Sequence, residues 1–317
     1  MSRSRERNAE RGRISDLITH INPSISPRLR QRQIANLAPE NRAHAVALAM
    51  LDSDTQGEGP EWHQNVGPSP SAERHVRYRS AAATELKVMT GRDLSATIVC
   101  VTNRPEFMGQ IHENIARQVG VDFDVVVVLH GLDVDLEEIR QRFADLPSVY
   151  VRSVGADSTL GDGLNLGIEL GRGRYIAKFD DDDLYGPNYL FDQIVAHQYA
   201  RAAIVGKHTY LAYLRSSDQV IERFPGHEHS YVASLAGGTL VLDRSRLGVV
   251  RFPSLDLGED QGIIRNCLRH GMSVYSTDRF NYVQIRGGWN TWVIDDDRFA
   301  AGATRLGSGP PEPIAFV

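Results

Sequence analysis

Apolar residues recur along this chain in two rhythms, and the switch between them is its first legible feature. Ser95 to Thr102, reading Ser-Ala-Thr-Ile-Val-Cys-Val-Thr, predicts a short buried strand. Asp124 to Leu129 contains four consecutive valines, the pattern of a parallel strand covered on both faces. Val149 to Val154 and Tyr175 to Phe179 predict two further strands. Between them the rhythm turns helical: Ile111, Ile115 and Val119, then Leu136, Ile139 and Phe143, then Leu164 to Leu170, which Gly171-Arg172-Gly173 ends. Strand and helix in alternation predict an α/β fold with a mostly parallel sheet flanked by helices. In such folds ligands sit outside the carboxyl ends of the strands.

The second half continues less regularly. A helix is expected from Pro187 through Leu190, Ile194 and Val195, then strands at 203–205 and 209–214, with 220–223 returning as a hairpin. Gly237 to Leu242 predicts another strand, and Glu259 opens a helix through Ile263, Ile264, Cys267 and Leu268 that Gly271 ends. Short strands are expected at 273–276 and 280–285. A glycine-hinged aromatic loop, Gly287 to Trp292, comes next, and 301–317 is expected to be a loose tail.

Residues 1–93 have a different character. Arg3, Arg5, Arg7, Arg11 and Arg13 crowd the start, and Ile14, Leu17, Ile18 and Ile21 then mark one helix face. Further helices are expected between Arg28 and Leu51, and glycines and prolines over 52–73 predict a flexible linker. This N-terminal helical extension is expected to be accessory. Its basic, amphipathic start suits anionic lipid or a partner subunit.

Composition narrows the class. The 317 residues are 41% hydrophobic and 24% charged, as in ordinary globular proteins, and a net charge of −5 argues against a general nucleic-acid binder. Cys100 and Cys267 offer neither a disulfide framework nor metal-ligand spacing. No apolar run approaches the roughly 20 residues of a spanning helix. No secretory signal is visible, so the cytoplasm is the expected location, with the inner face of the membrane open through the N-terminal region.

The candidate chemistry lies where the strand from Tyr175 runs into Asp180-Asp181-Asp182-Asp183. Four adjacent carboxylates repel one another, and a hard divalent cation shared with substrate phosphates is the natural counter-charge. A calcium loop over Asp181, Asp183, Gly186 and Asp192 fits poorly, because Tyr185 and Pro187 occupy ligand positions and a strand precedes it. A second run, Asp295-Asp296-Asp297, has no strand before it and is expected to be a solvated turn.

From Ser95 to about Trp292 the chain resembles the family 2 glycosyltransferases of the GT-A fold. Four motifs carry the likeness in order: Thr102-Asn103-Arg104-Pro105 after the first strand, Gly161-Asp162-Gly163-Leu164-Asn165-Leu166-Gly167 before Gly173-Arg174-Tyr175-Ile176, the Asp-x-Asp of Asp180-Asp181-Asp182, and Glu259-Asp260 at a helix start. The resemblance implies a GT-A-like, Rossmann-like sheet, with 94–205 holding the sugar nucleotide and 206–300 holding the acceptor and the base. It implies an inverting transfer from a nucleoside-diphosphate sugar, a UDP-sugar first, onto a glycan, lipid-linked, peptide or natural-product hydroxyl. Mn²⁺ or Mg²⁺ would be held by Asp182 and Asp180. Asp260 would be the general base, and Glu259 beside it would orient the site or bind the acceptor. Thr102, Asn103, Arg104, His130, Asp162, Asn165, Asp180 and Asp181 would border the donor. Arg286 and Trp292 would close a lid over its diphosphate. Leu129-His130 and Leu164 stand where many members carry acids and arginine, which leaves the nucleotide open. A sugar-nucleotide nucleotidyltransferase and a non-catalytic sugar-nucleotide or glycan-binding module are the alternatives, and the oligomeric state is open.

Overall fold

The apolar run Ala96–Thr102 forms β1, and the alternation after it sets the architecture. The computed structural model describes residues 94–317 together with Arg79. Asp93–Val317 forms one compact unit. The helices, linker and basic start expected over 1–93 lie outside the described residues, Arg79 apart.

A 3₁₀ turn, Pro105–Phe107, leads from β1 into α1 (Met108–Ala116). Then come β2 (Phe123–His130) and α2 (Leu136–Arg142), whose first turn is capped by the Asp135 side chain. Next are β3 (Val149–Val154), α3 (Leu160–Leu170), β4 (Tyr175–Lys178) and β5 (Leu184–Tyr185). After α4 (Tyr189–Ala200) the chain turns to short strands: β6 (Ile204–Gly206), β7 (Tyr210–Leu214), β8 (Gln219–Arg223), β9 (Ser230–Tyr231) and β10 (Val241–Asp243). It ends with α5 (Arg244–Leu247), α6 (Glu259–Arg269), β11 (Val274–Ser276), β12 (Tyr282–Arg286), α7 (Asp296–Ala300), β13 (Thr304–Ser308) and α8 (Glu312–Ala315).

The main sheet has the order β3-β2-β1-β4-β10-β6-β11-β9. β1 to β4 run parallel, and β10 enters antiparallel beside β4. The valines of β2 are fully buried on both faces, as their unbroken run required. A second sheet, β13-β8-β7-β12-β5, holds the hairpin of β7 and β8. Strands drawn from both 94–205 and 206–300 share the main sheet, so the two halves are one structure.

Glycines decide how closely α3 lies on this sheet. A Cβ on Gly167 would stand 2.2 Å from a methyl of Val99 in β1. The Gly-x-Gly spacing before the acidic strand is therefore a packing surface for α3.

Three expectations need correction. Gly237 to Thr239 is a 3₁₀ turn rather than strand, and β10 starts only at Val241, because the two glycines lie beneath the carboxylates of Asp260 and Asp180. Val119 lies beyond the end of α1 and is exposed. The tail is ordered: β13 pairs antiparallel with β8, Ala315 is buried, and the Ala315 carbonyl accepts from the Asn281 amide at 2.8 Å. Its apolar residues Leu306, Ile314 and Phe316 pack on Leu211, Val283 and Ile285, which the proline and glycine content concealed.

Candidate active site

β4 ends at Lys178, and the backbone beyond it carries Phe179 and the four acids to the carboxyl end of the sheet. The Phe179 ring stacks on Tyr185 with centroids 3.9 Å apart, which turns the chain back immediately. From below, α1 braces the acidic turn: Gln110 and Asn114 donate side-chain N–H groups to the Asp183 carbonyl at 2.9 and 2.8 Å. These supporting amides carry no sequence signal of their own.

Each acid has a distinct environment. Asp181 is buried, accepts from the Thr102 hydroxyl at 2.5 Å, and is clasped by both the Nε and an Nη of Arg104. Asp182 is buried and accepts from Arg104 and from Asn290, each at 3.1 Å. Burial pushes its carboxyl up to about 6; Arg104 opposes this, and the charges of Asp181 and Asp180 add to it. Asp183 lies deepest and accepts from the Tyr282 hydroxyl at 2.6 Å and the Ile285 amide at 3.0 Å. With Asp183 turned into the fold and Asp192 inside α4 beside Asn281, no calcium loop forms. Asp180 is the most open of the four, its side chain about a third exposed, and it takes Lys178 Nζ at 2.5 Å.

Lys178 joins this cluster to the other wall. Its ammonium is buried, 2.5 Å from Asp180 and 3.8 Å from Glu259 at the first turn of α6. Burial alone would favour the neutral amine, yet Asp180, Glu259 and Asp260 together hold it charged. Burial raises the Glu259 carboxyl, with Lys178 opposing. Between the walls lies the diglycine. A Cβ on Gly237 would fall 2.0 Å from an oxygen of Asp260, and one on Gly238 would fall 2.9 Å from an oxygen of Asp180. Carboxylates from two distant segments thus converge over a bed that only glycine permits.

Together these residues line a cavity of about 890 Å³. Thr102, Asn103, Arg104, His130, Asp180, Asp181, Asp182, Glu259, Asp260, Arg286 and Trp292 all border it. The His130 ring lies 2.7 Å from the Ser158 carbonyl, so it also ties the end of β2 to the loop before α3. His208, Tyr210, Arg223, Phe224, Gln284 and Asn290 also line it and were not among the expected site residues.

Two expected donor residues fall outside the lining, and a third has another task. Asp162 is the third residue of α3 and closes a capping box with Thr159. Asn165 exchanges both amide hydrogen bonds with the Phe252 backbone, at 2.9 and 3.0 Å. Arg286 is buried, and its guanidinium donates to the Trp292 and Ile294 carbonyls at 3.1 and 3.0 Å, which closes the aromatic loop on itself. Its Nε makes no hydrogen bond and lies 3.9 Å from an Asp296 oxygen, while the residue still lines the cavity. Asn290 and the Trp289 carbonyl, held by Asp182 and Arg104, dock that loop on the acids. Asp295 of the second acidic run is the N-cap of α7.

Among the described residues, no group of three or more His, Cys, Asp or Glu side chains is arranged to hold a metal ion unaided. Asp180 and Asp182 nevertheless supply two hard oxygen donors at the cavity wall. That donor set fits Mg²⁺ or Mn²⁺ completed by substrate phosphates.

Comparison with known proteins bears on the family and the fold. Residues 96–223 match the sequence model of glycosyl transferase family 2. No curated protein matches the chain. Among solved structures, the fold is similar to that of S. aureus TarS 1–349 in complex with UDP-GlcNAc, at 16% identity and a TM-score of 0.51, over 65% of this chain and 63% of that one. The same fragment with UDP aligns at 17% identity and a TM-score of 0.49, over 61% and 60%. The chain spans less than two thirds of the TarS fragment it matches.

Proposed function

With residues 96–223 a glycosyl transferase family 2 domain, we propose that the chain transfers a sugar from a nucleoside-diphosphate sugar to an acceptor hydroxyl, with inversion at the transferred carbon. A UDP-sugar is the donor we assign, because the structurally similar TarS is bound to UDP-GlcNAc. One observation carries the reading: Asp260 and Asp180, from opposite walls, meet over Gly237-Gly238 inside one cavity.

A divalent cation held by Asp182 and Asp180 would offset the charge that develops on the diphosphate as it leaves. The chain's own groups do the rest. Thr102 and Arg104 hold Asp181, so the acidic turn keeps one shape. Asp260 stands across from the acids, where it can take the proton of an acceptor hydroxyl attacking the face opposite the leaving group. A single displacement of that kind inverts the centre. Lys178 fixes the spacing of the two walls through Asp180 and Glu259. Among the described residues no helix is long and apolar enough to cross a membrane. We place the reaction in the cytoplasm, and the basic N-terminal region, by its sequence, at a partner or an anionic membrane surface. Glycan, lipid-linked and peptide hydroxyls all suit the proposed acceptor.

The test is calorimetry of UDP, GDP, CDP and TDP with and without Mn²⁺. The reading expects one nucleotide, UDP, to bind and to bind more tightly with metal. Equal, negligible heats for all four, with and without Mn²⁺, would overturn it.

A further inference from the structure

A further stretch of the cavity lining is cationic, and it belongs to the second sheet. Tyr210 of β7 pairs directly with Arg223 of β8, and Ala212, two positions along β7, pairs with Gln284 of β12. Side chains alternate faces along a strand, so Tyr210, Arg223, Gln284 and Arg286 share one face. All four line the cavity. Arg223 is 93% removed from solvent, at 7% exposure. Its guanidinium lies 3.8 Å from the Phe299 ring centroid and 4.5 Å from that of Phe224. It donates one hydrogen bond, to the Tyr210 hydroxyl at 3.0 Å.

What Arg223 lacks is an anion. Among the described residues no carboxylate lies within ion-pair distance of it, whereas Arg104, Arg174, Arg246 and Arg279 each have one. Ring stacking holds a guanidinium in place and leaves its in-plane N–H donors free; of five, one is used. A cation that is buried, immobilised and uncompensated is costly unless something completes it. Gln284 adds a second unfilled group on the same face: its side-chain oxygen is buried without a hydrogen-bond partner. Turning that amide over would present its two N–H donors instead.

We propose that Arg223, with Tyr210 and Gln284 beside it, forms a subsite for a negatively charged group on the acceptor substrate, a phosphate ester or a carboxylate. This rests on the glycosyltransferase reading for the word acceptor. The donor diphosphate has its own place at Asp180 and Asp182, at the ends of the main sheet. An acidic acceptor approaching Asp260 would be repelled by the seven carboxylates that line the same cavity, Asp180 to Asp183, Asp256, Glu259 and Asp260. A fixed guanidinium in the same cavity offsets that repulsion and orients the acceptor by a forked contact.

The test is calorimetry on the full chain with UDP and Mn²⁺ present, using glycerol 3-phosphate and glucuronate against glycerol and glucose. At least one anion should bind about tenfold more tightly than its neutral partner, the worth of a charge-assisted contact. Preference for glycerol 3-phosphate identifies a phosphate ester, and preference for glucuronate a carboxylate. Arg223→Gln should erase the preference, Arg223→Lys should keep part of it, and Tyr210→Phe should weaken it about threefold. Equal binding of charged and neutral probes overturns the subsite, as does a preference that survives Arg223→Gln. Loss of UDP affinity in Arg223→Gln with an unchanged melting temperature also overturns it, because Arg223 then serves the donor. Should Arg223→Gln fail to fold, an unaltered preference in both Arg223→Lys and Tyr210→Phe overturns it. A wild-type chain that ignores UDP defeats the donor reading separately, and the same titrations on the free protein still decide the subsite.

Discussion

The two ends of the main sheet hold buried charge in opposite ways. At the amino ends of the parallel strands every acid is answered. Asp243 is 1% exposed and receives Arg174 at 3.0 Å, Arg246 at 3.2 Å and the Ser245 hydroxyl at 2.6 Å. Burial works to raise its carboxyl, yet these partners hold it below the ordinary carboxylate value. Asp124 likewise takes the Thr97 hydroxyl at 2.5 Å and the Arg172 amide at 2.9 Å. At the carboxyl ends the balance reverses, and burial leaves Asp181, Asp182, Asp183 and Glu259 raised despite Arg104 and Lys178. Charge completed by the protein is structural. Raised carboxyls lining a cavity favour a functional site over a structural one, with Asp183, held by Tyr282 and Ile285, the structural exception.

The largest effect that sharpens this contrast is at Asp260. Asp260→Asn should lower transfer by about 10²–10⁴-fold, the usual worth of a general base, and leave UDP affinity unchanged. Normal turnover in that variant would move the base elsewhere and weaken the claim that the carboxyl ends are the reactive ones.

The matching change at the amino ends is Asp243→Asn. It leaves Arg174 and Arg246, 28% and 34% exposed, without their shared counter-charge, and losing charge-assisted contacts of this partly solvated kind costs about 2 kcal/mol. Urea denaturation should show that loss, while metal-linked UDP binding in the folded fraction stays at its wild-type value. A variant as stable as wild type would erase the difference between the two ends.

His197 gives the amino end a pH signature. It sits on α4, donates Nε2–H to the Val241 carbonyl at 3.0 Å and lies against Tyr175, with ring centroids 4.9 Å apart. Burial pushes its imidazole down to about 4, with the Asp243 charge opposing. The unfolded chain, with an ordinary histidine near 6.5, therefore binds the proton first as pH falls. Stability should drop between about pH 6.5 and pH 4 and then level, by up to about 3 kcal/mol. Urea midpoints across that window test it, and His197→Gln should flatten the slope. An unchanged slope in the variant would place the acid sensitivity elsewhere.

How much of the molecule was legible in its sequence divides along the same line. The parallel core was readable because valine runs and helical spacing are local signals. The acidic turn and Glu259-Asp260 were readable because each is contiguous. The cationic wall was not: Tyr210, Arg223 and Gln284 meet only through the register of β7 with β8 and β12. Nor could spacing show that two donors of the Arg286 guanidinium meet the Trp292 and Ile294 carbonyls. Asp162 and Asn165 sat inside a true motif, but the motif serves the packing of α3 on β1 and its anchoring to Phe252. Gly237-Gly238 read as a strand entry; its purpose shows only when Asp260 and Asp180 are placed above it.

The smallest expected change in stability makes the sharpest test. Asp182→Asn removes a carboxylate that is buried, raised to about 6 and set beside two others. The folded state holds that group's proton more firmly than the unfolded state does, so above pH 6 its ionisation opposes folding. Asparagine removes the opposing charge and keeps one oxygen for the Arg104 and Asn290 contacts at 3.1 Å. In metal-free buffer at pH 7 the variant should therefore match wild type within about 1 kcal/mol or exceed it, in contrast to the loss at Asp243. The tightening of UDP binding by Mn²⁺ should vanish at the same time. Both readouts come from one protein, by urea midpoint and by calorimetry with metal or chelator. An Asp182→Asn chain that is several kcal/mol less stable would make Asp182 a structural acid like Asp243. One that still gains UDP affinity from Mn²⁺ would place the metal on other oxygens. Either result would break the division between the two ends of the sheet.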